Sequence, residues 1–297
     1  MPETGEENAV LSARGGSGNI RRATRASVGA QRAVRMKIVV CIKQVPDSDK
    51  VTIDRATNRL NRAGVPSVVN PFDENALEVA LKLKDAIPGT TVTVVSMGPP
   101  QAEAAIRECL ARGATDGVLV SGREFGGADT WATGYTLALA IKKLGPVDLV
   151  LFGKQATDGD TAQVGPGIAW QLGLPVLTYA KSVEALGDKA FKVVRTTEDG
   201  YEEWEIDRPC ALTVVKEAGE LRIGSLKSKM AAKKAQIPVW GFADLAPDPE
   251  LIGLKGSPTR VTKVFAPPVK TGRERLEGTP SQVAEALVER LAAKHLV

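Results

Sequence analysis

VDLVLFGKQATDGDTAQVGPGIAWQLG, residues 147–173, starts as a strand and ends as a helix. Its first eight residues, VDLVLFGK (147–154), are mostly apolar and too few for a helix. A strand with apolar residues on both faces belongs inside a parallel sheet covered by helices. The glycine- and acid-rich loop after it leads back into helix, as in a β-α-β unit. The loop has neither the G-x-x-x-x-G-K-[ST] spacing of a P-loop nor the G-x-G-x-x-G fingerprint.

The same alternation runs outward from this stretch. MKIVVCIKQV (36–45) reads as a buried strand, followed by a polar loop to Asn70. FDENALEVALKLKDAI (72–87) carries Ala76, Leu77, Ala80 and Leu81 at helical spacing. GTTVTVVSMG (89–98) is a β-branched strand, PQAEAAIRECLARG (100–113) a helix closed by Gly113, DGVLVSG (116–122) a strand and ADTWATGYTLALAIKKLG (128–145) a helix. The fold class is therefore α/β, a Rossmann-like parallel sheet with helices on both faces and right-handed crossovers. Ligands of such sheets bind beyond the carboxyl ends of the strands. That directs attention to Cys41–Val45, Met97–Pro100, Ser121–Gly127 and the segment from Gly153 onward.

After Gly173 the texture is β. PVLTYAKSVEAL (175–186) is extended, AFKVVRTTEDGYEEWEID (190–207) forms a hairpin extension about Asp199-Gly200, and CALTVVKE (210–217) is a strand. SLKSKMAAKKA (225–235) reads as a basic helix. Residues 236–278 are proline-rich with little periodicity and read as an arm lying on something else. In TPSQVAEALVERLAAKHL (279–296), Thr279, Pro280 and Gln282 form a helix-start signature. The expected division is an N-terminal extension (1–35), a nucleotide-binding α/β domain (36–235) and a C-terminal arm and helix (236–297). Residues 1–35 lack apolar periodicity and are read as a disordered or spurious extension, with Met36 as the start.

Composition removes several chemistries. The 297 residues include three cysteines, Cys41, Cys109 and Cys210, with no C-x-x-C pair. A reducing, cytoplasmic setting fits them better than a disulfide framework or a cysteine-held metal. His295 is the one histidine, which leaves no triad and no histidine metal site in the body of the chain. A chain without these tools is suited to a cofactor that carries the chemistry. The net charge is +4, of which residues 1–35, with six arginines against three glutamates, supply +3. That tail charge and the 4% aromatic content speak against nucleic acid. The sequence has no run of eighteen apolar residues to span a membrane.

In the 152–173 loop, Gly153 lets a ligand approach the end of a strand and Gly159 supplies unusual backbone angles. Asp160 can cap the helix with Gln163 reaching back, and Pro166 either opens that helix or bends it. Free N–H groups at such a start attract phosphate. Asp158 and Asp160 suit ribose hydroxyls, an adenine amino group or backbone donors, and Lys154 can offset their charge. As an isolated loop it reads first as an ordinary capped surface connection; its place after a strand, beside the other strand ends, shifts the reading toward a nucleotide site.

KIVVCIKQVPD (37–47), VVNPFDENALEVALKLKD (68–85), VSMGPPQAEAAIRECLARGATDGVLV (95–120) and FGKQATDGDTAQVGP (152–166) together resemble the electron transfer flavoprotein β subunit. The resemblance runs from about Met36 to about residue 270. It implies a heterodimer whose β subunit carries a C-terminal arm embracing the electron transfer flavoprotein α subunit. In the ordinary branch the β pocket holds AMP and the α subunit carries the redox FAD. In the bifurcating, FixA-like branch the pocket holds a second FAD, with NADH as the electron donor. The run DGDTAQVGP favours FAD here, with AMP as the alternative occupant.

Carried over position by position, the resemblance implies a cofactor site of Cys41; Asn70, Pro71, Phe72, Asp73 and Glu74; Met97 and Gly98; and Gly153, Lys154, Gln155, Ala156, Thr157, Asp158, Gly159, Asp160, Thr161, Ala162, Gln163 and Val164. EAGELRIGSLKSKMAAKK (217–234) resembles the loop that docks partner dehydrogenases, with Leu226 as its anchor, alongside a quinone or ferredoxin-type acceptor. Read without the family, Leu226 packs inward at a helix start. No catalytic side chain and no metal are expected. Two other classes fit the sequence less well. An adenylating enzyme requires a phosphate loop such as S-G-G-x-D-S, which CIKQVPDSD lacks. A plain AMP-binding module has no use for the long arm.

Overall fold

The computed structural model describes residues 36–47, 66–262 and 274–297, together with two short strands at 52–54 and 59–61. Residues 1–35, read above as an extension, lie outside the described residues. The chain divides into two compact units between Arg260 and Val261.

The first unit opens with β1 (Lys37–Ile42), in which five successive residues are buried. Ile38, Val40 and Ile42 join one apolar cluster, and Val39 and Cys41 join a second on the other face. This two-sided burial is why the strand is apolar throughout. The polar stretch to Asn70 holds β2 (Gln44–Pro46), β3 (Thr52–Asp54), β4 (Arg59–Asn61) and β5 (Ser67–Val69), paired as two antiparallel ribbons. α1 (Pro71–Ala86) places proline where the missing N–H costs nothing and Asp73 and Glu74 at the positive end of the helix dipole. β6 (Thr91–Met97), α2 (Glu103–Arg112), β7 (Asp116–Val120), α3 (Thr130–Leu144), β8 (Leu149–Gly153) and α4 (Val164–Leu172) follow. α2 ends at Gly113 with φ 126°, and Asp129 caps α3 by accepting the N–H groups of Trp131 and Ala132. α1 and α2 supply Leu77, Leu81 and Ile106 to the first cluster. α3 and α4 supply Leu137, Ile141 and Ile168 to the second.

Next come β9 (Val176–Leu186), β10 (Ala190–Thr197), β11 (Gly200–Asp207), β12 (Cys210–Val214), α5 (Leu226–Lys234), β13 (Val239–Trp240) and α6 (Phe242–Leu245). The nine-stranded sheet has the order β11-β10-β9-β12-β8-β1-β6-β7-β13. It is parallel from β9 to β13, and the β10–β11 hairpin extends it antiparallel. β1 leads to β6 and β7 on one side, whereas β8 returns to its other side. That reversal between β1 and β8 is the topological switch point, where an open α/β sheet leaves a crevice.

The stretch read as an arm contributes, up to residue 260, to this chain's own fold. β13 pairs with β7, and Leu245 and Ile252 are buried. A two-residue strand is too short for periodicity to reveal.

The second unit holds α7 (Pro280–Ala293). Its capping box is as the sequence predicts: the Gln282 side chain accepts the Thr279 N–H at 2.9 Å. None of its residues is buried, and Leu287 and Val288 are exposed. Among the described residues no helix is long and apolar enough to cross a membrane.

Candidate functional site

The sequence-predicted residues sit at the carboxyl ends of three adjacent strands. Cys41 is near the end of β1, Met97 and Gly98 end β6, and Gly153 ends β8. Asn70, Pro71, Phe72 and Asp73 open α1 beside them. Cys41, Met97 and Val164 belong to one apolar cluster, which forms the floor of the crevice.

Two buried polar side chains tie the strand ends to the loop. Asp73 accepts the backbone N–H of Lys43 with Oδ2 at 2.7 Å and that of Gly153 with Oδ1 at 3.1 Å. One carboxylate therefore joins the ends of β1 and β8 across the switch point. Asn70 donates from Nδ2 to the Gln155 carbonyl at 2.8 Å and accepts the Thr157 N–H with Oδ1 at 3.1 Å. As N-cap of α1 its side chain caps none of the helix's backbone N–H groups; it reaches the loop instead and also bonds the Asp73 carboxyl. Burial raises the Asp73 carboxyl to about 7, against the lowering effect of the Lys43 N–H, the Asn70 side chain and the Gly153 N–H.

Gly153 does permit a close approach, but of α1 rather than of a ligand. A β-carbon there would stand 2.6 Å from the Phe72 carbonyl carbon and 2.7 Å from the Asp73 nitrogen. Gly159 is not the strained residue of the loop: its backbone is not left-handed, and a β-carbon there meets nothing within 4 Å. The left-handed backbone falls instead at Asp160 and Ala162, each with φ 54°. Asp160 does not cap the following helix. Its N–H donates to the Ala156 carbonyl at 2.8 Å, and its carboxylate accepts from the Gln155 side chain, folding residues 155–160 into a closed turn. The N-cap of α4 is Gln163, with no side-chain cap, and Gln163 Oε1 accepts from the Thr130 hydroxyl at 3.1 Å. Pro166 falls in the first turn, where it is tolerated. The N–H groups of Val164 and Gly165 have no partner within their helix.

The charges pair differently from the sequence expectation. Lys43, not Lys154, neutralises Asp158, at 2.7 Å. Both groups are well exposed, so this pair contributes little stability; its consequence is that the Lys43 charge is taken. Lys154 has no carboxylate within ion-pair distance among the described residues, and its ammonium lies 5.3 Å from the centre of the Tyr179 ring. Lys43 lies in the Cys41–Val45 segment to which the sequence directs attention but is not singled out within it, whereas nothing marks Tyr179 locally.

The three cysteines are free and buried. Burial pushes the thiols of Cys41 and Cys109 far above the ordinary range and that of Cys210 to about 12. Cys41 is therefore a wall residue, not a thiolate. Three of the sequence-predicted residues, Pro71, Phe72 and Glu74, line a cleft of about 450 Å³ together with Asn75, Arg112 and Leu221 among others, and none of residues 153–164 does.

The 217–225 segment is pinned to α1. Arg222 holds the buried Glu78 at 2.8 Å and Asp85 at 2.6 Å, and Asn75 donates to the Gly219 carbonyl at 2.6 Å. α5 lies on α2, where Ser228 donates to the Ala111 carbonyl at 2.6 Å. Arg107 caps its far end at the Ala232 and Ala235 carbonyls, 2.7 and 3.0 Å. Leu226 does not pack inward: it is 77% exposed, beside exposed Ile223 and Met230.

Comparison with known proteins agrees with this architecture. The model of the electron transfer flavoprotein domain matches residues 57–245. The chain is 51% identical over 263 residues to the caffeyl-CoA reductase-Etf complex subunit CarD of Acetobacterium woodii, covering 88% of this chain and 100% of that one. It is 46% identical over 271 residues to the electron transfer flavoprotein subunit beta of Megasphaera elsdenii, at 88% and 100% coverage. It is also 46% identical over 270 residues to Protein FixA of Azotobacter vinelandii, at 88% and 96%. With the parallel sheet and the four motifs at its switch point, these matches show that the chain belongs to the electron transfer flavoprotein family, among its β subunits.

Proposed function

We propose that the crevice between β1 and β8 binds an adenine nucleotide, FAD in the bifurcating manner, and that the chain works as the β subunit of a heterodimer. The observation that carries this is the double tether at the switch point. Asn70 and Asp73 direct their buried side chains at the backbone of Gly153, Gln155 and Thr157. The donor set fits a nucleotide's phosphates: the Lys154 ammonium, which has no carboxylate partner among the described residues, and the N–H groups at the start of α4. When bound, a flavin supplies the exchange of electrons; the chain's residues bind it, orient it and shield it with the apolar floor.

FAD is favoured over AMP by the relatives whose names place them in a reductase-Etf complex or as FixA. AMP as a structural occupant of the same crevice is the second reading, since the same phosphate donors would hold it. NADH is the proposed donor, and the exposed Leu226 the proposed anchor for partner dehydrogenases. The segment 261–297 is the proposed arm around the α subunit, because the apolar residues of α7 find no cover within their own unit.

Cofactor content after co-expression with an α subunit tests the reading. Two FADs per heterodimer and no AMP support it. One FAD with one AMP transfers the site to the structural role. No nucleotide beyond that of the α subunit would refute it.

A further inference from the structure

We infer that Tyr179 is a positioning residue, holding the Lys154 ammonium at the rim of the crevice for the phosphate of the bound nucleotide. This rests on the nucleotide reading above. Tyr179 lies inside β9, yet its φ is 62°. A bulky residue in left-handed backbone is a true outlier, and such strain persists only where the surroundings impose it.

The surroundings are a bulge. Leu177 pairs with Leu212 and Ala180 with Val214, so Thr178 and Tyr179 oppose Thr213 alone. A bulge re-aims a side chain. Here the Thr213 hydroxyl replaces the ladder by accepting the Tyr179 N–H at 3.0 Å. On the neighbouring strand end, the Lys154 N–H donates to the Val214 carbonyl at 2.8 Å. β12 thus holds both partners, and the Tyr179 ring comes to lie 5.3 Å from the ammonium.

The choice of an aromatic partner has chemical content. A carboxylate would fix Lys154 equally well but cancel its charge, as Asp158 does for Lys43. A ring face attracts the cation while leaving it available to an anion. Of the two lysines following β1 and β8, only Lys154 is held in this way.

The test uses the full chain in complex with its α subunit, stripped of bound nucleotide and titrated calorimetrically with AMP and with FAD. Wild type, Y179F, Y179L, K154Q and the Y179L/K154Q double variant are compared, with thermal midpoints as a control on folding. K154Q is expected to weaken binding about tenfold or more, through loss of a charge-assisted contact. Y179L is expected to weaken it about three- to tenfold, and Y179F, which keeps the ring, to match wild type. In the K154Q background Y179L should cost nothing further. Binding by Y179L equal to wild type, or an equal loss in both backgrounds, overturns the positioning role. A wild-type complex whose β site takes up neither AMP nor FAD overturns the nucleotide reading itself, which is a different observation.

Discussion

A β-carbon built on Gly153 would stand 2.4 Å from Oδ1 of Asp73, the oxygen that accepts the Gly153 N–H at 3.1 Å. Helix start and strand end touch here with no room for a side chain. Gly153→Ala is therefore expected to destabilise the fold by about 1–3 kcal/mol through overpacking. Gly159→Ala, in open space, should change stability by less than about 0.5 kcal/mol. Denaturant unfolding of the two variants decides, and equal effects would contradict the contact.

Asp73 gives this junction a pH dependence. Its folded-state value, about 7, lies above the ordinary 3.8, so folding favours the protonated form. Its contribution to stability is fully present below about pH 4, falls as pH rises through about 7, and is level beyond that. Asp73→Asn should remove this slope and leave one backbone N–H facing an amide donor, at a cost of about 1–3 kcal/mol. The difference in unfolding free energy between wild type and variant, followed from pH 4 to 8, reads both effects. A flat difference would rule out the raised carboxyl.

Glu78 is only 6% exposed and depends on Arg222. Arg222→Ala strands that carboxylate and should cost about 3–5 kcal/mol, most of which the second change Glu78→Gln should restore. Limited proteolysis should then cut within residues 216–225 faster in the single variant than in the double. Equal cleavage in both would show that the pair does not hold the segment.

Leu226→Asp should leave the thermal midpoint within a degree or two, roughly, because a side chain 77% exposed contributes little to packing. Electron delivery to a partner dehydrogenase should fall sharply, through binding rather than through cofactor content. An unchanged rate at limiting partner would remove Leu226 from the docking surface.

The buried thiols make a fourth structural check. Cys41, Cys109 and Cys210 are at most 7% exposed, so a thiol reagent at neutral pH should modify none of them in the native chain and all three in denaturant. Rapid native labelling of Cys41 would mean that the crevice floor is open.

The elements were legible because their signals are local. Two-sided burial makes β1 and β8 apolar throughout, and glycine after α2 and the capping box of α7 stand within one turn of the helices they bound. The candidate site was legible as motifs that fall at neighbouring strand ends, but its internal pairing was not. Asp160 read as a cap because an acid precedes a helix there, yet the chain turns left-handed at Asp160 and Ala162 and the cap passes to Gln163. β13 went unseen because two residues carry no period.

By itself the sequence determined the main order of strands and helices apart from the short strands, the parallel sheet, the absence of a histidine-based triad, and the family. These follow from periodicity, residue type and motif order, which need no contact to be read. Tertiary structure alone decided that Lys43 takes Asp158 across 115 positions, that Arg222 reaches Glu78 across 144, and that a bulge brings Tyr179 to Lys154. The physical reason is the same for each. A pair between charged or aromatic side chains far apart in sequence is set by which elements the fold makes neighbours, and no spacing along the chain encodes that.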